Sequence, residues 1–288
     1  MKGIPNYVRE KIEGSNFLLL VPALLMLLIV FIYPIGKMLT TSFLDPEFTL
    51  EHYIHIFAKP VYLRVMFNTI KISAVVTVIC LIVGYIVAYY LARRAKEWVR
   101  NAALSIILAS FLLSFLVKVF VWMVLLQKKG LINRILLDIG LVSSPLKLLY
   151  NFFGVIIGMS QILLPYMILP LYSVMVSIDE DLIKSAKNLG ATPFKAFWKI
   201  FFPLSLPGLG AGSMQVFILA IGYFIIPQLL GGEGQTMISQ LISMHVNRFG
   251  NWSFAAALSS FLLLIVLLLV WVYNRYVGLE QGWGGING

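Results

Sequence analysis

The sequence predicts an all-α polytopic membrane protein with six transmembrane helices. Three observations lead there. Of the 288 residues, 60% are hydrophobic and 12% are charged, where a soluble domain carries about 25% charged residues. Apolar runs of about 20 residues recur along the chain, long enough for a helix to cross the hydrocarbon core. The short alternating segments that build a transmembrane β-barrel are absent from the sequence.

Composition also narrows function. The formal net charge is +10, but the basic residues lie mainly between and beside the apolar runs. They read as topology signals and lipid contacts, so a membrane lipid partner is expected and a nucleic acid is not. Cys80, the single cysteine, excludes an intrachain disulfide. His52 and His55 share a loop, His245 is remote in sequence, and no third ligand is evident beside the pair, so no metal site is expected. The phosphate-cradling pattern Gly-x4-Gly-Lys-Ser/Thr does not occur, nor does His-Glu-x-x-His, so the chain is expected neither to bind ATP nor to be an enzyme.

Taken in order, residues 1–15 carry Lys2, Arg9 and Lys11 and are a cytoplasmic lead-in. The run that follows is too long for a signal-peptide core and has no small-residue cleavage site, so it is a retained span over 16–36. Pro22 and Pro34 fall near its ends, where proline does least harm. A mixed-charge outer segment over 37–66 leads to span two at 68–92. Arg93, Arg94, Lys96 and Arg100, against Glu97 alone, then make a short basic loop. The positive-inside rule places that loop, and with it both termini, in the cytoplasm.

Span three is predicted as one helix over 102–126. It contains Lys118, the one charge well inside a span. Such a lysine either lines a pathway or is paired or snorkelling to the interface. Residues 127–147 hold Lys128, Lys129, Arg134, Asp138 and Lys147, yet fall outside, against the charge rule. Leu131, Ile132, Ile135, Leu136 and Ile139 line one face there, as in an interfacial helix, with Arg134 and Asp138 four residues apart.

Span four covers 149–176, with Pro165 and Pro170 as expected kink sites. Span five covers 204–230, where Gly208, Gly210, Gly212 and Gly222 permit close helix packing. An outer segment over 231–252 includes a partly buried helix through Met237, Ile238, Leu241 and Ile242. Span six covers 253–273 and ends at Arg275. The transmembrane region thus runs over 16–276, with a tail at 277–288.

Between spans four and five lies the longest polar interruption of the second half, Ser177 to Gly208. Ser177 and Glu180 have the spacing of a capping box. Asp179, Glu180 and Asp181 crowd a first helical turn, where the dipole favours negative charge. Leu182, Ile183, Ala186 and Leu189 form one apolar stripe. Gly190 suits a left-handed helix stop, and Thr192-Pro193 restarts a helix with a hydroxyl cap and a proline at its first position. Phe194, Phe197, Trp198 and Phe201 follow. The pattern reads as a solvated loop or as an amphipathic docking element.

At this loop the sequence resembles the permease subunits of bacterial binding-protein-dependent ABC importers. Those proteins carry Glu-Ala-Ala, three residues, Gly, nine residues, then Ile-x-Leu-Pro. Here the same spacing holds Lys184-Ser185-Ala186, Gly190 and Ile200-Phe201-Phe202-Pro203. Ala186, Gly190, Ile200 and Pro203 match in identity, while Lys184, Ser185 and Phe202 depart. Gly130-Leu131-Ile132-Asn133, Leu164-Pro165-Tyr166-Met167, Leu169-Pro170-Leu171-Tyr172 and Leu229-Leu230-Gly231-Gly232 look like the spermidine/putrescine importer group. That group tends to show Pro-Phe-Trp-Thr-Ser-x-Leu-Val-Arg in span three. Ser110 to Lys118 departs from it at several positions but keeps a basic residue at its end.

The resemblance implies a type I importer permease fold in the bacterial inner membrane, moving a polyamine or related small organic solute inward. It implies a second permease subunit of a different chain, a dimer of ATP-binding subunits that hold the ATP and magnesium this chain lacks, and an extracytoplasmic solute-binding protein. The coupling residues it implies are Asp181, Leu182, Lys184, Ser185, Ala186, Leu189, Gly190, Ala191, Phe194, Ile200 and Pro203. Candidate pathway residues are Lys118, Ser114, Trp122, Tyr166 and Tyr223. The alternatives are an ion-coupled carrier or channel subunit and a non-transporting scaffold. No acidic residue lies inside any apolar run, which argues against a proton or cation relay.

Overall fold

The computed structural model describes residues 21–44 and 47–277, with side chains to residue 275. The lead-in over 1–15 and the chain beyond 277 lie outside them. The described residues are almost entirely helical, with no strand beyond an isolated bridge between Leu44 and Phe48. Five helices are long and apolar enough to cross a membrane, and a sixth span results if one bent pair is counted as a unit. Two compact units divide the chain. One joins the described residues up to Ala58 to Ile242–Leu263; the other joins Lys59–Leu241 to the segment from Leu264.

In the first unit, α1 (Val21–Phe43) continues past the sequence-predicted end of span one. Pro34 therefore lies inside it. The helix absorbs that proline with a π-helical turn over Leu28–Ile32, in which Tyr33 N–H bonds to the Leu28 carbonyl. Shifting the ladder by one residue ahead of a proline relieves the clash and the missing donor. The side chains from Leu24 to Ile32 are exposed, as on a helix whose solvent is lipid. In α2 (Glu51–Ala58), Tyr53 stacks on Phe43 at 4.9 Å, and its hydroxyl shares a 2.8 Å hydrogen bond with the buried Ser42.

The second unit is built on three helices: α3 (Pro60–Arg93), α7 (Phe152–Ser177) and α9 (Pro193–Gly222). They pack on one another pairwise, with α7 contacting both of the others. Met159, Leu163, Met167, Leu171 and Met175, each four residues from the next, are fully buried along α7. Spacing of four keeps them in one row on the helix surface. Their approach to both neighbours depends on glycine. A Cβ at Gly84 of α3 would lie 2.6 Å from Met167 Cγ, and one at Gly212 of α9 would lie 2.8 Å from Met167 Sδ. Gly208 and Gly212 of span five thus take the packing role that small residues play between membrane helices, while a Cβ at Gly222 would meet open space. Helix α7 runs unbroken through Pro165 and Pro170.

Span three differs from its prediction. In place of one helix over 102–126 there are α4 (Glu97–Leu112) and a second segment beginning with α5 (Phe115–Leu126), and the pair is bent by 102°. No glycine or proline stands at the break. Hydropathy continues through Leu112-Leu113 and on into Phe115, so an apolar count cannot see it.

Helix α6 (Leu131–Asp138) follows α5, with Leu131, Ile135 and Ile139 exposed as an interfacial helix requires. Asn133 holds it down. Its amide donates to the Gln127 and Leu146 carbonyls at 3.0 Å each and accepts from Leu146 N–H at 2.8 Å. Short helices α8 (Glu180–Asn188), α10 (Ile225–Leu230) and α11 (Ile238–Asn247) precede α12 (Trp252–Val277).

Candidate functional site

The loop between α7 and α9 folds as two helical pieces around one sharp turn. Its start differs from the sequence expectation. The cap is Asp179, whose carboxylate accepts from Asp181 N–H at 2.9 Å, while the Ser177 hydroxyl turns back to the Val174 carbonyl. Ile178 and Asp179 are both extended, so the helix can only begin after them, which makes the later residue the cap. The stop is as the glycine predicts. Gly190 has φ +85°, its N–H reaches the Lys187 carbonyl at 2.9 Å, and Ala191 N–H reaches the Ala186 carbonyl at 3.0 Å. This is the double-bonded left-handed helix ending that glycine permits. Thr192 Oγ1 then accepts from Lys195 N–H at 3.3 Å, with Pro193 as the first helical residue.

The apolar stripe of α8 is split between two environments. Ile183 packs against the core and Ala186 is half-buried, while Leu182 is exposed and Leu189 is 90% exposed. The same division recurs in α9. Phe197 and Phe201 turn inward onto Tyr89, at 5.5 and 5.1 Å between ring centroids, whereas Phe194 is 72% exposed and Trp198 also faces out. A π-turn over Phe197–Phe201, one residue short of the exposed Pro203, sets this alternation. Ile200 and Ala191 are half-buried and Ser185 is exposed. Lys184 forms a 2.9 Å ion pair with Asp181, both exposed. The hydrogen bond and charge of Asp181 raise the Lys184 pKa above its ordinary value, so it stays cationic.

The candidate pathway residues gather around the break in span three, with one exception. Lys118 reaches back across it, where Nζ donates to the Ser110 carbonyl and, at 3.2 Å, to Ser110 Oγ. It is a locally paired lysine. Ser114 opens α5 but makes no side-chain cap. Tyr166 of α7 meets Phe111 edge-to-face at 5.0 Å, and Tyr223 at the end of α9 lies 5.7 Å from Phe115. Beside the break is a cavity of about 500 Å³ lined by Phe115, Ile218, Leu219, Gly222, Tyr223 and Phe224. Trp122 is apart, its indole N–H directed to Gln161 Oε1 at 3.2 Å. Sequence reasoning missed Phe111 and Phe115, because an aromatic in an apolar run carries no separate signal until the run is known to break.

It also missed two groupings of titratable residues. His245 comes beside His55 and His52 around Phe254, with ring centroids 4.6, 5.2 and 6.1 Å from it. Among the described residues no three His, Cys, Asp or Glu side chains converge as a metal ion would need. Arg93, read in sequence as a topology signal, is buried against the start of the 177–208 loop.

Long apolar helices, a folded polar loop with exposed aromatic and aliphatic side chains, and a broken span define a polytopic helical membrane protein. The comparison with known proteins makes the class specific: the chain belongs to the family of binding-protein-dependent transport system inner membrane components, whose profile matches residues 81–276. It is similar to the spermidine/putrescine transport system permease protein PotB of Haemophilus influenzae, 34% identical over 90% of this chain and 88% of that one. The PotB protein of Escherichia coli is 32% identical over 81% and 84%. Among solved structures, a subunit of a bacterial ABC transporter involved in alginate import superposes with a TM-score of 0.78 at 20% identity, over 94% of this chain and 97% of that one. A chain of the methionine transporter MetNI gives 0.55 over 75% and 94%. The fold is thus that of ABC importer permeases, the protein is an inner-membrane one, and the family favours this reading over an ion-coupled carrier.

Proposed function

We propose that this chain is one of two permease subunits of an ATP-driven importer for polyamines or closely related small amines, and that the 177–203 loop is where a separate ATPase docks. The observation that carries the docking assignment is the exposure of Leu189 and Phe194, at 90% and 72%, on a loop whose own backbone is firmly capped. Exposed apolar side chains on a capped loop fit a partner groove that receives an amphipathic helix. ATP and magnesium then belong to the ATPase, and closure of its dimer moves the loop and, through it, the spans.

The solute class rests on the PotB relatives and on the surroundings of the broken span. A helix that ends inside the membrane leaves carbonyls outside its ladder, and the rings of Phe111, Phe115, Tyr166 and Tyr223 stand on both sides of this one. The Ser110 carbonyl there is already taken by the Lys118 ammonium, so the aromatic faces are what would meet the solute's ammonium groups. A solute-binding protein outside would supply the remaining selectivity.

The test is reconstitution with an ATPase, a second permease and a solute-binding protein from the same organism. Spermidine is expected to raise ATP hydrolysis and to accumulate inside vesicles. Hydrolysis indifferent to spermidine, putrescine and their mono-amine analogues would reject the solute class. Failure of any ATPase to co-purify with the chain would reject the docking loop.

A further inference from the structure

We infer that Arg93 is a positioning residue that fixes the angle between α7 and α8 and ties both to α3, so that motion of the loop is transmitted to the spans; the transmission role rests on the docking reading above. Helices α7 and α8 are joined only through Ile178 and Asp179, both extended. Two extended residues keep the helices connected but do not by themselves set their mutual angle, since each contributes two soft dihedrals. The buried Ile178 and the packing of Ile183 seat the joint on the core, and a directional polar contact across the joint would hold the angle.

Arg93 spans it. This last residue of α3 donates through Nη2 to the carbonyls of Met175 at 2.9 Å and Ile178 at 2.5 Å, on the α7 side. Through Nη1 it reaches Glu180 Oε1 at 3.3 Å, on the α8 side. Its guanidinium also lies over the Phe201 ring of α9, 5.1 Å from the centroid. One planar group therefore touches the ending of α7, the first turn of α8 and the inward face of α9 while anchored on α3.

The chemistry suits each contact. Carbonyls at a helix C-terminus lack intrahelical partners and carry partial negative charge, which a cation satisfies. The fork of N–H groups serves two carbonyls and a carboxylate from one rigid plane, and the face of that plane stacks on an aromatic ring. An arginine acting as a topology signal would extend into water. Arg93 is only 10% exposed, although Glu180 is 63% exposed and the neighbouring Arg94 is exposed as well. The ion pair with an exposed carboxylate does not account for burying a guanidinium. The carbonyl and ring contacts do, although Nε is left without a partner among the described residues; they tie α3, α7 and α9 together, and the Glu180 contact extends the tie to α8.

The experiment uses the full chain with its ATPase, second permease and binding protein in lipid vesicles, with radiolabelled spermidine as probe. It compares Arg93→Met, Arg93→Lys and Glu180→Gln with the wild type. Two quantities are read: amide hydrogen exchange in Glu180–Asn188, and spermidine imported per ATP hydrolysed. For Arg93→Met, exchange in that helix is expected to rise about tenfold and imported solute per ATP to fall about tenfold, the scale set by losing charge-assisted hydrogen bonds. Arg93→Lys, which keeps the charge but not the fork, should recover only part of both. Glu180→Gln keeps an oxygen that can accept from Arg93 Nη1 and removes only an exposed charge, so it should alter both by less than about twofold.

Unchanged exchange in Arg93→Met overturns the tether. Raised exchange with an unchanged ratio of solute to ATP overturns the transmission role and leaves a purely structural arginine. Full recovery by Arg93→Lys overturns the assignment to the guanidinium fork. If the wild-type chain itself binds no ATPase or imports no spermidine, the functional reading fails separately, and hydrogen exchange alone decides whether Arg93 holds the joint.

Discussion

The chain stops one helix and starts another inside the 177–208 loop and bends by 102° inside span three, and it makes the two changes by different means. Around Gly190 the turn is written in consecutive residues: a glycine at φ +85°, then a threonine cap, then a proline at the first helical position. Each needs only its neighbours. Around Leu113 no residue demands a break. What stands there is a lysine four residues on from the Ser114 cap position, bonding back to Ser110 on the other side. The first change of direction is local and should survive in isolation. The second is a cross-break contact that exists only when the chain is already bent.

The comparison breaks most sharply at Gly190. A Cβ there would meet no heavy atom within 4 Å, so any substitution acts through the backbone and not through a clash. Gly190→Val forces a β-branched residue into the left-handed region, at a local cost of about 2 kcal/mol or more. The expected outcome is a chain still present in the membrane whose ATPase binds but hydrolyses ATP without moving solute. Gly190→Asn, which tolerates that region, should keep most of the transport. Wild-type transport by the valine variant would show that the turn does not set the position of the loop.

The same contrast explains what was legible in advance. Span positions could be approached from hydropathy, and Gly190, Thr192 and Pro193 from local chemistry, because each reports a backbone requirement within a few residues. The apolar stripe of α8 was legible as a stripe but not as two halves: Ile183 inward and Leu189 outward depend on where α3 and α9 lie. Arg93 was unreadable for the same reason, since its partners at 175, 178 and 180 are more than 80 residues away in sequence. Asp179 displaced Ser177 as the cap because the helix begins later, and both are oxygen-bearing residues that can cap. The break at Leu113 gave no sign, because its tether is a single lysine with two plausible fates in any span.

Lys118 is the second place to test the contrast. Lys118→Met removes the ammonium from Ser110 and keeps an apolar stem of similar length. Two bonds to Ser110 are lost; each charge-assisted bond is worth about 1.5–3 kcal/mol, partly offset by no longer holding a charge among apolar side chains. The bend should then open toward one continuous helix. In such a helix the Cα atoms of residues 108 and 124 would lie about 24 Å apart. Spin labels on the exposed Leu108 and Val124 are expected to report a shorter distance in the wild type and a population near that length in the variant. An unchanged distance, together with unchanged uptake, would assign the bend to packing against α7 alone.

The smallest expected effect is at Thr192, and it bears on whether the loop is local in the sense claimed. Its hydroxyl accepts from Lys195 N–H at 3.3 Å, a long bond, and Pro193 already supplies a preset φ at the next position. Thr192→Ala should therefore cost about 0.5 kcal/mol, the low end for losing an N-cap. Thr192→Ser should cost nothing measurable, because it keeps the oxygen. The measurement is thermal unfolding of the detergent-purified complex beside hydrogen exchange at Phe194 and Lys195. If the loop is fixed by its own residues, exchange rises at those two amides while Glu180–Asn188 is unaffected, since Gly190 separates the two pieces. If exchange rises across both pieces together, the loop is one cooperative unit, and the distinction between a local turn and a tethered break does not hold.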